Sequence, residues 1–347
     1  MKRYLLIGLA LAALGLVAFL SWDEIVRAFR ILADVRWQFL FLIPLTQSLS
    51  FYGRAKYYQT FLANLNYKVE LFRMYKLAYA VNFVNQISPS VGVTGATYLS
   101  FNLRDKVPSG KVTLIEYSRY IATHLAFIPI LVLGLGFIYF GGVIDKIVVR
   151  IVVLVVVSGL VASLFFLFAF TRRKQINKIA YFLQRVIDRA VGFFRPKKEP
   201  LLGEQRITQL LGELHEGYDL IISNWRNLRG PLASAALVNV MEIATLYISF
   251  LALSQFVNPG SLIVSYAVAN IAGAVSIVPG DVGVYEFAMV AAFSGTGTPI
   301  AIALSATLLY RILSKAFILP VGFYFYSRSI NNIPPKRFTQ PIDGLDK

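Results

Sequence analysis

Long apolar runs constrain this chain more than any other feature. Residues 4–20, 37–53, 112–140, 147–170, 231–253 and 299–326 are candidate membrane spans, since a core of about 30 Å is crossed at about 1.5 Å per helical residue. Unbroken runs of this kind suit helices rather than barrel strands. Composition agrees, with 57% hydrophobic residues and 15% charged and a mean hydropathy of +0.63. The expected fold is an all-α polytopic membrane bundle.

Several chemistries drop out at once. The 347 residues contain no cysteine, and the two histidines, His124 and His215, lie far apart, so neither disulfides nor a thiolate or histidine-rich metal site is expected. Ser109-Gly110-Lys111 ends like a phosphate loop but lacks the upstream glycine and the preceding strand. With no HExxH or GxSxG pattern either, the expectation is a protein without metal or cofactor that is not an enzyme. Lys2 and Arg3 precede the first apolar run without a small-x-small cleavage site after it, which reads as a retained signal anchor.

Charge placement sets the topology. With the N-terminus in the cytoplasm and 77–103 and 261–294 taken as hairpins that enter and leave on one side, 26 of the 34 basic residues fall in cytoplasmic segments and five outside. That bias satisfies the positive-inside rule and puts both termini in the cytoplasm of a multi-pass plasma-membrane protein. The +16 net charge then reads as a surface facing anionic lipid rather than nucleic acid. Helical spacing of apolar residues within 172–229 predicts amphipathic helices that pack on the bundle or lie on the inner leaflet. Residues 22–33 read as a shorter interfacial helix on the other face, and 327–347 as a disordered tail.

Two stretches about 190 residues apart repeat. NFVNQISPSVGV (82–93) is followed by YSRYIATHLAFIP (117–129), and NIAGAVSIVPGDVGV (270–284) by YRILSKAFILP (310–320). A proline, a Gly-Val, an arginine and a second proline recur in order, which implies duplication. The chain therefore reads as one domain over 1–326, with repeat one near 1–145 and repeat two near 146–326. Each repeat would supply three spans and one interrupted hairpin, and the charge-derived topology relates the halves by inversion. Pro89, Gly92 and Gly95 mark the first hairpin break, and Pro279, Gly280 and Gly283 the second. Broken backbone at membrane depth is tolerated only where it lines a cavity. The alternative is eight full spans with ordinary loops at these positions.

Glu116, Arg119, Glu242, Asp281, Glu286, Arg311 and Lys315 fall within the apolar segments, where each would cost about 2.5–3.5 kcal/mol facing lipid. They must pair or face water. Arg311 and Lys315 lie one turn apart on one helical stripe and suit a phosphate, with Glu286 and Asp281 beside them. Glu116 and Arg119 share a face and either neutralise one another or line the cavity. Asn82, Asn85 and Tyr310 are further polar lining candidates, Asn82 and Asn85 serving as ligand contacts or as helix-to-helix hydrogen bonds.

PGDVGVYEFAM followed by LLYRILSKAFILP closely resembles the closing signature of the lysylphosphatidylglycerol synthase transmembrane region, a flippase-like membrane family. Its pattern runs Pro-Gly-Gly-x-Gly-Val-Phe-Glu and then Leu-Tyr-Arg. The resemblance extends from about residue 5 to 326; Gly95-Ala96 stands where relatives carry Gly-Glu, and Asp281 replaces a glycine. It implies movement of an aminoacylated or anionic phospholipid, or of a polyprenyl-phosphate-linked lipid, between leaflets, with Glu286 and Arg311 shaping the cavity. It also implies that the aminoacyl-transferring domain of the fused synthases is missing here. The alternative is a non-catalytic accessory subunit for a glycosyltransferase or another envelope-lipid enzyme.

Overall fold

The computed structural model describes residues 35–87, 92–140, 225–276 and 281–331, together with Arg30 and short pieces between 157 and 223. The expected spans 4–20 and 147–170, the interfacial helix at 22–33, and most of 172–229 lie outside the described residues. So do Pro89, Pro279, Gly280 and the tail beyond Asn331.

Eight helices of more than ten residues follow one another among the described residues. They are α1 (Leu42–Asn64), α2 (Leu71–Ile87), α3 (Val93–Leu103), α4 (Ser109–Phe140), α5 (Arg229–Ala252), α6 (Pro259–Val275), α7 (Val284–Gly295) and α8 (Ile300–Asn331). The described residues form an all-α bundle without strands. Among the described residues three helices are long and apolar enough to cross a membrane, spanning Ser109–Phe140, Arg226–Ala252 and Ile300–Ser329. The arms α6 and α7 are apolar but shorter.

The lengths repeat. Helices of 23, 17, 11 and 32 residues are followed by helices of 24, 17, 12 and 32. Val93 and Val284 open α3 and α7, 191 residues apart, and Ser109 and Ile300 open α4 and α8 at the same spacing. Pro129 in α4 and Pro320 in α8 keep that spacing too, each removing one helical hydrogen bond at the same depth in its helix. The arginines do not. In this register Arg119 matches Tyr310, and Tyr120 matches Arg311, which corrects the expectation that they are counterparts.

Packing runs across the halves. The most extensive helix pairing is α1 with α5, while α2 packs on α8 and α6 on α4. Residues 46, 53 and 60 of α1 meet 245, 238 and 230 of α5, so α1 and α5 run antiparallel. Close approach depends on glycine. A Cβ on Gly53 would stand 2.9 Å from Val238 Cγ2, and one on Gly260 2.3 Å from the Gly134 carbonyl oxygen.

Element boundaries shift in two places. A helix over 37–53 was expected, but α1 begins at Leu42 after a 3-10 turn and runs to Asn64, so Arg54 and Lys56 are helical rather than part of a loop. At the other end, α8 continues to Asn331, taking the first residues of the expected tail into the helix. Where the piece 212–219 is described, Glu213 accepts the Gly110 amide at 2.7 Å and Tyr218 is buried, so this stretch packs on the start of α4.

Two apolar cores result. One gathers α1, α2, α3 and the first half of α4 around Phe51, Tyr58, Met74 and Leu99. The other gathers the second half of α4, the end of α5, α6, α7 and the start of α8 around Leu131, Phe250, Met289 and Phe293. Polar side chains of α5 and α8 lie between them.

Backbone contact at Gly260 leaves no flexible neighbour to yield, so Gly260→Ala is expected to destabilise the bundle by about 1–3 kcal/mol through overpacking. Gly295→Ala, which meets nothing within 4 Å, should leave the melting temperature in detergent almost unchanged.

Candidate functional site

The layer between the cores is built on Glu242. Helix α5 buries this residue against α1 and α8, and its carboxylate accepts four hydrogen bonds. Ser50 Oγ (2.8 Å) and Arg54 Nη2 (3.3 Å) donate to Oε1, and Gln47 Nε2 (3.2 Å) and Tyr310 OH (3.1 Å) to Oε2. Residues 47, 50 and 54 share one face of α1 because they are three and four apart. Burial of this carboxylate is tolerable because every donor points at it.

The second hairpin supplies the next charged group. Gly283, at φ +85°, turns the chain into α7, a conformation that costs other residues dearly. Its N–H donates to Glu286 Oε2 at 2.7 Å, and Glu286 Oε1 accepts Arg311 Nε at 2.7 Å. One carboxylate thus caps α7 and holds the arginine of α8. The Arg311 guanidinium also lies 4.4 Å above the Tyr285 ring, a cation–π contact.

One turn along α8, Lys315 donates to Gln86 Oε1 on α2. Its electrostatic neighbours are Arg311, Asp281, Glu242 and Arg54. Asp281 has a left-handed φ of 59°, rare outside glycine. Its Oδ2 packs against α6, 3.3 Å from where a Cβ on Gly273 would stand. Tyr310, the residue before Arg311, donates to Glu242, so α8 ties the Glu286–Arg311 pair to Glu242. Three cations, Arg54, Arg311 and Lys315, therefore share a layer with three carboxylates, Glu242, Asp281 and Glu286.

Other candidates sort differently. Arg119 grips Glu116 with two hydrogen bonds (2.9 and 3.3 Å), and Tyr58 OH donates to Glu116 at 2.5 Å. The electrostatic neighbours of Arg119 are Glu116, Tyr58 and Tyr120, so this pair is a separate cluster rather than part of the Arg311 layer. Gly92 starts α3 at φ +82°, as Gly283 starts α7. Gly95 is not a break; it lies inside α3, where its N–H donates to Asn85 Oδ1 at 2.9 Å. Asn85 thereby ties α2 to the start of α3. Asn82 Oδ1, Gln47 Oε1, Arg54 Nε and Ser314 Oγ are buried and lack a hydrogen-bond partner among the described residues, leaving unused capacity for polar ligands along the layer.

Sequence reasoning missed Arg54, Gln47, Ser50, Tyr285 and Gln86. The helical spacing of 47, 50 and 54 carried a signal, but the expected span stopped before Arg54. Beside the layer, α6 and α7 enclose a groove of about 490 Å³ lined by Val264, Val268, Ala272, Phe287 and Ala291. It begins at Val284, immediately after Gly283.

Residues 5–322 match the sequence profile of the lysylphosphatidylglycerol synthase TM region. A UPF0104 membrane protein of Pyrococcus horikoshii is 24% identical over 327 residues, 90% of this chain and 93% of that protein. A UPF0104 membrane protein of Methanothermobacter thermautotrophicus is 31% identical over 111 residues, 32% of this chain and 33% of its own length.

Removing one member of the Glu116–Arg119 pair leaves a buried charge without compensation. Glu116→Ala is expected to cost about 3–5 kcal/mol of stability. Glu116→Ala combined with Arg119→Ala should recover part of that loss, read as the melting temperatures of both purified variants.

Proposed function

Since this chain belongs to the lysylphosphatidylglycerol synthase TM region family, a membrane family, we propose that it is a flippase-like lipid translocase and not an enzyme. Its cargo would be an anionic or aminoacylated phospholipid, or a polyprenyl-phosphate-linked lipid. The observation that carries this reading is the Arg311–Glu286 pair at 2.7 Å with Lys315 one turn away. Arg311 is the twelfth residue of α8, about 18 Å along the helix, at a depth where cations are retained for function.

Backbone geometry supports a transporter architecture. Helices α3 and α7, of 11 and 12 residues, reach only about 16–18 Å, roughly half of a 30 Å core, as arms of re-entrant hairpins would. Antiparallel pairing of α1 with its counterpart α5 supports inversion, because a dyad exchanging antiparallel helices lies across their axes. Inverted repeats with broken helices meeting near the midplane are a known basis for alternating access. The charge bias of the loops supports an orientation with both termini in the cytoplasm, and the proposed location is the plasma membrane.

On this reading the phosphate meets Arg311 and Lys315 in place of their protein partners, and an acyl chain follows the α6–α7 groove. Glu286 holds Arg311 in the absence of lipid, so that cation is never buried alone.

In proteoliposomes reconstituted with the full chain and labelled lipid, wild type is expected to move phosphatidylglycerol between leaflets. Arg311→Gln should reduce the rate at least about tenfold, as expected for a lost charge-assisted contact, without loss of folded protein. Equal rates for Arg311→Gln and wild type would refute the site. Activity seen only as stimulation of an added envelope-lipid enzyme would replace the translocase by the accessory-subunit reading.

A further inference from the structure

Arg54 is the cation of this layer that lipid transport by Arg311 and Lys315 leaves without a role. Resting on that reading of the site, we infer that Arg54 is a third phosphate-binding cation and that Glu242 is its internal competitor, holding the guanidinium until a headgroup displaces the carboxylate.

The contact itself is loose. Arg54 touches Glu242 through one donor, Nη2, at 3.3 Å, longer than the about 2.7–2.9 Å of a strong charge-assisted bond. Its Nε is buried with no hydrogen-bond partner among the described residues. By contrast, Arg119 uses two donors on Glu116, the shorter at 2.9 Å, and Arg311 meets Glu286 at 2.7 Å. A guanidinium fork with one prong weakly engaged is suited to exchange its single contact for a two-oxygen contact on phosphate.

The two partners also differ in what holds them. Ser50, Gln47 and Tyr310 all donate to Glu242, so the carboxylate keeps three hydrogen bonds after Arg54 leaves. The Arg54 side chain is 20% exposed against 9% for Glu242, which gives the arginine the access that the acid lacks. Phe51 lies beneath the guanidinium, 4.7 Å from it, a flat platform on which the fork can turn. Tyr310, five residues before Lys315 on α8, shares the Glu242 carboxylate with Arg54, so Arg54 lies beside the helix that carries Arg311 and Lys315.

Glu242 therefore sets a threshold for binding: a ligand gains Arg54 only by outcompeting a resident carboxylate. An uncharged isostere at position 242 removes the competitor while keeping its shape and an acceptor oxygen.

The test uses the full chain in detergent, with dioctanoyl phosphatidylglycerol as probe and dioctanoylglycerol as the phosphate-free control, read by calorimetry alongside melting temperature. Glu242→Gln is expected to bind the phospholipid about tenfold more tightly, the scale of one charge-assisted contact. Arg54→Lys, which keeps the charge but not the fork, should bind it more weakly at an unchanged melting temperature. Glu242→Gln combined with Arg54→Lys should lose most of the gain. None of these variants should alter the control. An unchanged or weakened affinity in folded Glu242→Gln, or the full gain persisting in the double variant, would overturn the inference. Should Glu242→Gln fail to fold, wild-type affinity in Arg54→Lys overturns it instead. If Arg311→Gln abolishes probe binding while Glu242→Gln gains nothing, only the role of Arg54 fails. If wild type and Arg311→Gln bind alike, the site itself fails.

Discussion

Partnering of charge inside an apolar bundle is the constraint from which the rest of this structure follows. Two hydrophobic cores are separated by a layer that must hold Glu242 in an almost water-free setting, and an unpartnered carboxylate there would be prohibitive. The solution is geometric: α1 crosses α5 antiparallel, and residues 47, 50 and 54 present three donors to one acid. Tyr310 adds a fourth from α8, so the acid ties both halves of the chain together. Gly53, one residue before Arg54, lets the two helices approach closely enough for these short polar side chains to meet. The most extensive helix contact and the most demanding polar group thus occupy the same place, each making the other possible.

The two series of helices, α1–α4 and α5–α8, share a backbone pattern and differ in chemistry. Positive-φ glycines at 92 and 283 and prolines at 129 and 320, each inside a continuous helix, keep a constant spacing of 191 residues. Side chains at matching positions do not agree. Gly95 stands where the second half has Glu286, Tyr120 where it has Arg311, and Glu116 where it has Thr307. Even the capping differs: α3 borrows Asn85 from the neighbouring arm, whereas α7 uses its own Glu286. A shared scaffold with unlike chemistry gives a bundle two hinge-like breaks but concentrates its exchangeable charges at one of them.

How much of this was legible in the sequence depended on the range of the interaction. The spans at 112–140, 231–253 and 299–326 came within a few residues of α4, α5 and α8, because apolar run length is a local signal. Pairing of Glu116 with Arg119 was open to the same reasoning, being three residues apart on one helix. Arg54 was not. The expected span ended at 53, so Arg54 was read as leaving the membrane, whereas it turns inward to α5 beside Gln47 and Ser50. Only the fold brings an acid 188 residues away within 3.3 Å of that guanidinium. Near-equal spacings also misled: Arg119 and Arg311 lie ten and nine residues before their prolines, and a one-residue offset on a helix is a rotation of about 100°.

Glu286 shows how a binding site of this construction is coupled to its own backbone. Its two oxygens serve different masters, one closing the start of α7 at Gly283 and the other holding Arg311 on α8. An anion that claims Arg311 leaves the second oxygen without its cation, while the first still holds a turn that contains left-handed Asp281 and Gly283. Backbone held in such sparsely populated conformations persists only while its surroundings over-determine it. Loss of the Arg311 contact removes one of those determinants from the segment that begins the α6–α7 groove. On the proposed reading, the headgroup contact and the hairpin conformation are therefore one equilibrium, and the lipid acts on the part of the chain that its acyl tail must pass.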